Sequence, residues 1–360
     1  MQKLLKKFKN KKVIVTGHTG FKGSWLALWL HLHGAKVMGL SNKILTDPSH
    51  FRSIKLKEKI ISKKVDICDI DKMKKIFLNF KPDFVFHLAA QAIVKKSYIN
   101  PVETYKSNTL GTLSILECLR SLKNKCVVVL ITSDKSYKNL ELQRGYKEDD
   151  LLGGLDPYSS SKASAELIIQ AYLNSFLKYK KNILLAVARA GNVIGGGDWS
   201  DDRLIPDCVK SWSKKKEVVL RNPNSTRPWQ HVLEALSGYL ILSIKLLKNK
   251  KFNGETFNFG PSNHNNYSVL DVVKIMKKNW KRVSWKIQKK NKFYFESDLL
   301  KLNSNKAMKK LNWKSVLTFA ETINLVINWY KNYYNKKKDI HKETIAQMKF
   351  YEKIFMERIK

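Results

Sequence analysis

The chain has 360 residues, 43% of them hydrophobic, with 9 Trp and 16 Phe, enough apolar material for a packed core and too much for a disordered chain. Its formal net charge is +38, from 68 Lys and Arg against 30 Asp and Glu. No stretch approaches 18 uninterrupted apolar residues, so no membrane span is expected. The lysines are scattered through nearly every segment, arginine is scarce and no recognition-helix or stacking motif occurs, which weighs against a nucleic-acid partner.

The basic N-terminus leads after residue 10 into a short apolar run and then glycine, which reads as a first strand and not as a signal peptide. Cys68, Cys118, Cys126 and Cys208 show no Cys-x-x-Cys spacing, as expected for incidental thiols in a reducing cytoplasm. No metal site is expected.

Residues 12–16 read as a buried strand, followed by Gly17-His18-Thr19-Gly20-Phe21-Lys22-Gly23 and an apolar helix over residues 24–33. Strand, glycine loop and helix in that order is the context of a dinucleotide site, where the glycines let the backbone approach a pyrophosphate at the helix N-terminus. Residues 36–40 form a second strand ending in Ser41-Asn42, with no acid to hold the adenosine ribose, so the choice between NAD and NADP stays open at this point. Strands follow at 60–65, leading into Asp66-Ile67, and at 83–87, leading into Ala89-Ala90-Gln91, with a helix over 72–80 between them. Asn100-Pro101 opens a long helix containing Asn108, and residues 126–132 and 181–189 are a fifth and a sixth strand. Strands alternating with helices predict an α/β fold, a Rossmann-like doubly wound parallel sheet with ligands at the strands' carboxyl ends.

The fifth strand ends in Thr132-Ser133-Asp134-Lys135, and Asp156-Pro157-Tyr158-Ser159-Ser160-Ser161-Lys162 opens the next helix, with Asp156 as N-cap. Tyr158 and Lys162 lie one turn apart on one face. An ammonium beside a phenol is expected to lower the tyrosine pKa, giving a base for a sugar hydroxyl. After Arg189 the chain becomes glycine-rich and polar, with Arg203, Arg221 and Arg227 set among aromatics, a combination suited to a nucleoside diphosphate. Residues 256–259 read as a strand rejoining the sheet, and 269–277 and 319–332 as helices of a smaller domain. The expected division is a Rossmann domain over 1–190 with a returning segment near 225–262, a C-terminal substrate-binding domain over 191–224 and 263–332, and a basic, partly mobile helical extension over 333–360.

V-T-G-H-T-G-F-K-G-S-W-L, H-L-A-A-Q, I-T-S-D-K, D-P-Y-S-S-S-K, R-A-G-N-V-I-G-G-G-D-W, R-L-I-P-D and R-P-W-Q-H-V-L-E together resemble the extended short-chain dehydrogenase/reductase family, in its branch of sugar-nucleotide dehydratases. The glycine loop and Tyr-x-x-x-Lys are general to that superfamily, whereas G-H-T-G-F-K-G, T-S-D-K and R-P-W-Q-H-V are more specific. The resemblance covers about residues 12–330. It implies tightly held NAD, a homodimer formed through helices of the cofactor domain, and conversion of CDP-D-glucose to CDP-4-dehydro-6-deoxy-D-glucose, an intermediate for the deoxysugars of surface polysaccharides such as the O-antigen of lipopolysaccharide.

Carried over residue by residue, the resemblance implies Tyr158 as base at the C4 hydroxyl and Lys162 as its modulator and ribose holder. Ser133 bonds the C4 oxygen, Asp134 is the acid for the C6 hydroxyl, and Lys135 is the base at C5. Related dehydratases acting on dTDP-glucose carry glutamate where this chain has Lys135. Gly17, Thr19, Gly20, Phe21, Lys22 and Gly23 hold the cofactor pyrophosphate, Asp66 and Ile67 meet the adenine, and Ala89, Ala90, Gln91 and Asn108 line the nicotinamide side. Asn192, Arg203, Leu204, Arg221, Arg227 and His231 contact the substrate. The competing readings are a 4-epimerase or 4-reductase of the same fold, which needs no acid for C6, and a basic Rossmann protein that binds nucleic acid without catalysis.

Overall fold

A computed structural model describes residues 1–261, 267–280, 283–288, 299–336 and 339–359. The expected substrate-binding stretch over 263–332 therefore falls partly outside the described residues. Runs of branched and aromatic residues form β1 (Lys12–Thr16), β2 (Lys36–Ser41), β3 (Ile61–Lys64), β4 (Phe84–His87), β5 (Cys126–Ile131), β6 (Ile183–Ala190) and β7 (Thr256–Phe259). All seven pair in parallel, in the order β7-β6-β5-β4-β1-β2-β3. β4, β5 and β6 are buried along their whole length, which explains why they read as continuous apolar runs with no alternation. The strand order reverses between β1 and β4, and the crevice at their carboxyl ends is where such sheets take ligands.

Helices cover both faces. On one face lie α1 (Phe21–Leu32) and α7 (Val232–Lys248); on the other lie α2 (Ile70–Phe80), α4 (Gly111–Ser121) and α5 (Pro157–Tyr172). α4 continues α3 (Pro101–Tyr105) through a π-turn over Lys106–Leu110, so the long helix expected from Asn100 contains a bulge at Asn108. α6 (Leu204–Ser213), α8 (Val269–Asn279) and α9 (Phe319–Tyr334) belong to the C-terminal part, where Val218–Leu220 also pairs in parallel with Trp285–Ile287. β7 lies beside β6, which returns the chain to the main sheet.

The last helix corrects an expectation. α10 (Ile340–Arg358) is helical as read, but it is no mobile extension: Thr344, Met348, Tyr351 and Phe355 are buried in the core formed with α1 and α7. Glu352 accepts from the Trp29 indole at 2.8 Å, Tyr351 Oη donates to Glu234 Oε2 at 2.7 Å, and Arg358 pairs with Glu321 at 2.7 Å. Burying Met348, Tyr351 and Phe355 contributes about 1.5–3 kcal/mol each. The physical reason is spacing: positions 340, 344, 348, 351 and 355 make one helical stripe that the intervening lysines conceal. This helix in turn explains α1, whose Trp25–Leu30 stretch is apolar all round because it is covered on both sides.

Candidate active site

The glycine loop joins β1 to α1 at the crevice. Gly17 has φ +73°, and a Cβ there would lie 2.8 Å from the Ala89 amide nitrogen, so only glycine lets the loop pass the end of β4. Gly23 packs against the Gly17 peptide, where a Cβ would lie 2.7 Å from the carbonyl carbon. Gly20 is the N-cap of α1 and supplies no side-chain cap, so the first amides of a twelve-residue helix stay available to an anion. Thr19 Oγ1 donates to the Lys43 carbonyl at 2.7 Å and ties the loop to the segment after β2. At the far end Asp66 is exposed and Ile67 buried, with the Asp66 carboxylate accepting from the Cys68 amide at 2.9 Å. Along the near edge Asn108 is buried; its Oδ1 accepts from the Gln91 amide at 2.8 Å and its Nδ2 donates to Ser161 Oγ at 2.9 Å.

α5 begins as its sequence dictates. Asp156 Oδ1 accepts from the Ser159 amide at 3.0 Å, and Pro157 occupies the first helical position. Tyr158 and Lys162 are both buried and face the end of β5. Ser133 Oγ donates to Asp134 Oδ1 at 2.9 Å, while Asp134 Oδ2 is buried without a partner among the described residues. Gly191 leaves that oxygen its space, since a Cβ there would lie 3.2 Å from it. Burial raises the Asp134 carboxyl above its ordinary range, against the opposing pull of Lys135 and the Ser133 hydrogen bond. Lys135 is partly buried in the turn after Asp134, beside a hollow also lined by Gly154, Asp156 and Ser159.

Burial also acts on the cations. It pushes the Lys162 ammonium down to about 8, with Glu166 opposing, and the Lys22 ammonium down to about 7, helped by the charges of Lys162 and Arg203. Lys22, Lys162, Arg203, Asp134 and Asp198 thus share one cleft. Arg203 is held there by Asp198 at 3.3 Å, Arg227 is buried with its Nη1 donating to the Thr226 carbonyl, and Asn192 is partly buried beside Gly191. Leu204, partly buried, is the first residue of α6.

A glycine loop at the switch point, a buried Tyr158 with Lys162 and a carboxyl at the end of β5 form one constellation, and comparison with known proteins gives the family of the chain that carries it. The family model described as GDP-mannose 4,6 dehydratase matches residues 14–326. The chain belongs to this family. It is 44% identical over 329 residues to the CDP-glucose 4,6-dehydratase of Salmonella typhimurium, covering 90% of this chain and 91% of that one. It is 24% identical to the dTDP-glucose 4,6-dehydratase of Haemophilus influenzae, covering 88% and 97%. The fold is shared with solved structures. One is the UDP-glucose 4-epimerase of Thermotoga maritima with UDP-glucose, with a TM-score of 0.76, 21% identity and coverage of 89% and 99%. Another is the dTDP-glucose 4,6-dehydratase of Bacillus anthracis in complex with NAD, with a TM-score of 0.72, 22% identity and coverage of 93% and 99%.

Within this member of the GDP-mannose 4,6-dehydratase family, two sequence expectations need correction. Tyr158 is not lowered: burial raises its hydroxyl and the charges of Asp134 and Asp156 add to that, outweighing the Ser133 hydrogen bond and Arg203. His231 does not face the cleft. It is wholly buried, caps α7 by accepting from the Leu233 amide at 3.3 Å and stands edge-on to Trp25. Its place in an aromatic-rich motif suggested a nucleotide contact, but its backbone pairs with Ile194 under the glycine-rich connection. The expected substrate contact Arg221 is exposed and paired with Asp202 at 3.2 Å.

Sequence reasoning missed the polar groups behind the site. Glu166, one turn beyond Lys162 on α5, accepts from Thr132 Oγ1 at 2.7 Å and pairs with buried Arg189 at 2.5 Å. The i,i+4 spacing of Lys162 and Glu166 was the available signal. Thr16 and His87, the polar ends of two apolar strands, hydrogen-bond to each other at 2.8 Å.

Proposed function

We propose that this chain is an NAD-dependent CDP-glucose 4,6-dehydratase, converting CDP-D-glucose to CDP-4-dehydro-6-deoxy-D-glucose and water. The observation that carries this reading is Asp134: a buried carboxyl raised towards its protonated form, one oxygen on Ser133 and the other unpartnered, on the strand end that faces Tyr158. An epimerase or reductase needs no such acid. Support for the base comes from the 44% identity to the Salmonella enzyme.

The residues fit NAD. The Gly17–Gly23 cradle and the uncapped N-terminus of α1 suit the pyrophosphate, Asp66 and Ile67 the adenine, Ala89, Ala90 and Gln91 the nicotinamide side, and Lys162 the ribose. NAD, when bound, supplies a hydride acceptor for C4 that afterwards serves as hydride donor to C6.

The chain's own residues manage the protons. Tyr158 acts in its phenolate form, its own proton standing on Asp134 across Ser133; it takes the proton of the C4 hydroxyl, and the resulting ketone makes C5 acidic. Lys135, required here as the neutral amine, then takes the C5 proton while Asp134 gives its own to the departing C6 hydroxyl, which leaves as water. Lys135 returns its proton to C5 when C6 is reduced. At the end Tyr158 holds one proton too many and Asp134 one too few. Ser133, hydrogen-bonded to both, offers the path that restores them. Arg203 and Arg227, with Lys22, supply cations for the diphosphate.

We assign a homodimer built on α3, the π-turn, α4 and α5, whose surfaces carry Val102, 80% exposed, Leu110, 52% exposed, and Leu167, 55% exposed. Free cysteines, three of them buried, support work in the reducing cytoplasm.

The test is incubation of purified protein and NAD with CDP-, UDP-, GDP- and dTDP-glucose, followed by product mass and absorbance of the 4-keto sugar in alkali. Loss of one water from CDP-glucose is expected, and Asp134→Asn is expected to abolish water loss while partly sparing C4 oxidation. An epimerised product of unchanged mass would overturn the dehydratase reading.

A further inference from the structure

His87 ends β4 at the switch point, wholly enclosed between the glycine loop and the π-turn. Its two ring nitrogens meet two threonines, and each threonine reports which way its bond runs. Thr16 Oγ1 accepts from the amides of Leu88 and Ala89, both at 3.1 Å, so its single proton is free to point only at His87 Nδ1, 2.8 Å away. Thr112 Oγ1 spends its proton on the Asn108 carbonyl at 2.7 Å, so towards His87 Nε2, at 3.3 Å, it can only accept. Both ends therefore demand the same ring: neutral, with the proton on Nε2.

The chain of bonds continues beyond the histidine. Asn108 grips Gln91 at both its amide and its carbonyl, and Asn108 Nδ2 donates to Ser161 Oγ, which itself donates to the Tyr158 carbonyl at 2.7 Å. Thr109 Oγ1 adds a bond to the Ser161 carbonyl at 3.1 Å. The route thus runs from the end of β1, through the Leu88–Gln91 segment and the π-turn, to the first turn of the catalytic helix.

We propose that His87, held as the Nε2–H tautomer between Thr16 and Thr112, is a positioning residue that locks the nicotinamide side of the cofactor site and the Tyr158 helix into one hydrogen-bonded unit. The proposal rests on reading the cleft as a nicotinamide-dependent site. Burial and the nearby charge of Lys162 push the His87 imidazole down to about 3, so the ring stays neutral at any working pH. A protonated ring would lose its acceptor at Nδ1, free Thr16 from its bond and set a second cation beside Lys162.

Two measurements test this on the full chain. The first is the ring nitrogen spectrum of protein labelled at its 8 histidines, with His87→Phe identifying the signal. The expected result is a neutral ring protonated on Nε2, unchanged between about pH 6 and pH 9. An Nδ1–H ring, or titration in that range, would overturn the proposal. The second is kinetic. His87→Phe is expected to lower kcat on the order of 100-fold per folded molecule and to weaken NADH binding, with the KM for the sugar nucleotide little changed. His87→Gln, which keeps a donor for Thr112, is expected to recover part of the loss. Thr112→Val leaves the fold its shape and serves if His87→Phe does not fold; an intermediate loss in kcat is expected. A wild-type kcat and NADH affinity in both His87→Phe and Thr112→Val would overturn the proposal. Were the wild-type protein inactive on every sugar nucleotide, the dehydratase reading would fail, and the ring tautomer with the NADH affinities of the variants would still decide this one.

Discussion

The three glycines of the loop are there for different reasons, and substitution by alanine separates them. At Gly23 a Cβ would stand 2.7 Å from the Gly17 carbonyl carbon and 3.0 Å from the His18 Cα, both backbone atoms. Restoring an ordinary 3.4 Å contact to that carbon alone requires a move of 0.7 Å, the difference between 3.4 and 2.7, and the Gly17 carbonyl oxygen, which lies nearer still to the Cβ, requires more. Overpacking of this kind costs about 1–3 kcal/mol, and it displaces the amides that face the pyrophosphate. At Gly20 the backbone is extended, with φ −79°, and the nearest atom to a Cβ is the Gly17 carbonyl oxygen at 3.3 Å, which a shift of about a tenth of an ångström relieves. The fold therefore does not need glycine at position 20; a ligand lying on the helix end does. Gly20→Ala is expected to unfold within about 0.5 kcal/mol of wild type in urea while binding NADH at least 10-fold more weakly by fluorescence titration. Gly23→Ala is expected to lose both stability and affinity. Wild-type affinity in Gly20→Ala, or a stability loss equal to that of Gly23→Ala, would refute the assignment of this loop to a dinucleotide.

Two further outcomes follow from buried groups. Tyr158→Phe is expected to lower kcat by about 10²–10⁴-fold, since it removes the base at C4, with NADH affinity within a few-fold of wild type by titration. Glu234 accepts from the Leu317 amide at 2.6 Å and from Tyr351, yet burial pushes its carboxyl from 4.5 up to about 7. The folded state then holds a proton that the unfolded state releases, so stability is greatest below about pH 4.5 for this group and falls as pH rises to about 7. The fall amounts to about 3 kcal/mol from this group. Urea unfolding between these pH values measures it, and Glu234→Gln is expected to flatten the slope.

Much of the sheet was legible because its central strands are buried on both faces and two of its helices, α2 and α5, start at an Asp cap. Asp156-Pro157 set the start of α5, and the polar residues at strand ends marked the crevice. Three features were not legible, each for a physical reason. α10 hides its apolar stripe behind exposed lysines, so composition suggested a loose tail where packing makes a core helix. His231 sits in a motif rich in nucleotide-binding residue types, but which way a side chain faces depends on a two-residue pairing with Val193–Ile194 that has no sequence signature. The tyrosine–lysine pair was read as a local interaction, whereas burial of the whole group governs its protonation.

Burial of the whole group has a measurable consequence. Removal from water disfavours charge of either sign, so one cleft raises Asp134 and Tyr158 and lowers Lys162 to about 8 and Lys22 to about 7. In the free protein this cleft is therefore short of positive charge near pH 8, with Lys22 largely neutral and Lys162 about half so. A nucleoside diphosphate brings negative charge to this cluster, and an anion within about 4–6 Å favours the ammonium form of a lysine. Substrate binding at pH 8 must then take up protons from solution, close to one per site. Titration calorimetry of CDP-glucose binding in two buffers of different ionisation enthalpy reads this number directly. At pH 6 both lysines are already charged and the uptake vanishes. Lys22→Met is expected to remove most of the uptake at pH 8. Equal heats in both buffers at pH 8 would mean that the lysines stay charged in the free protein, and that their ammonium groups reach water more freely than their burial allows.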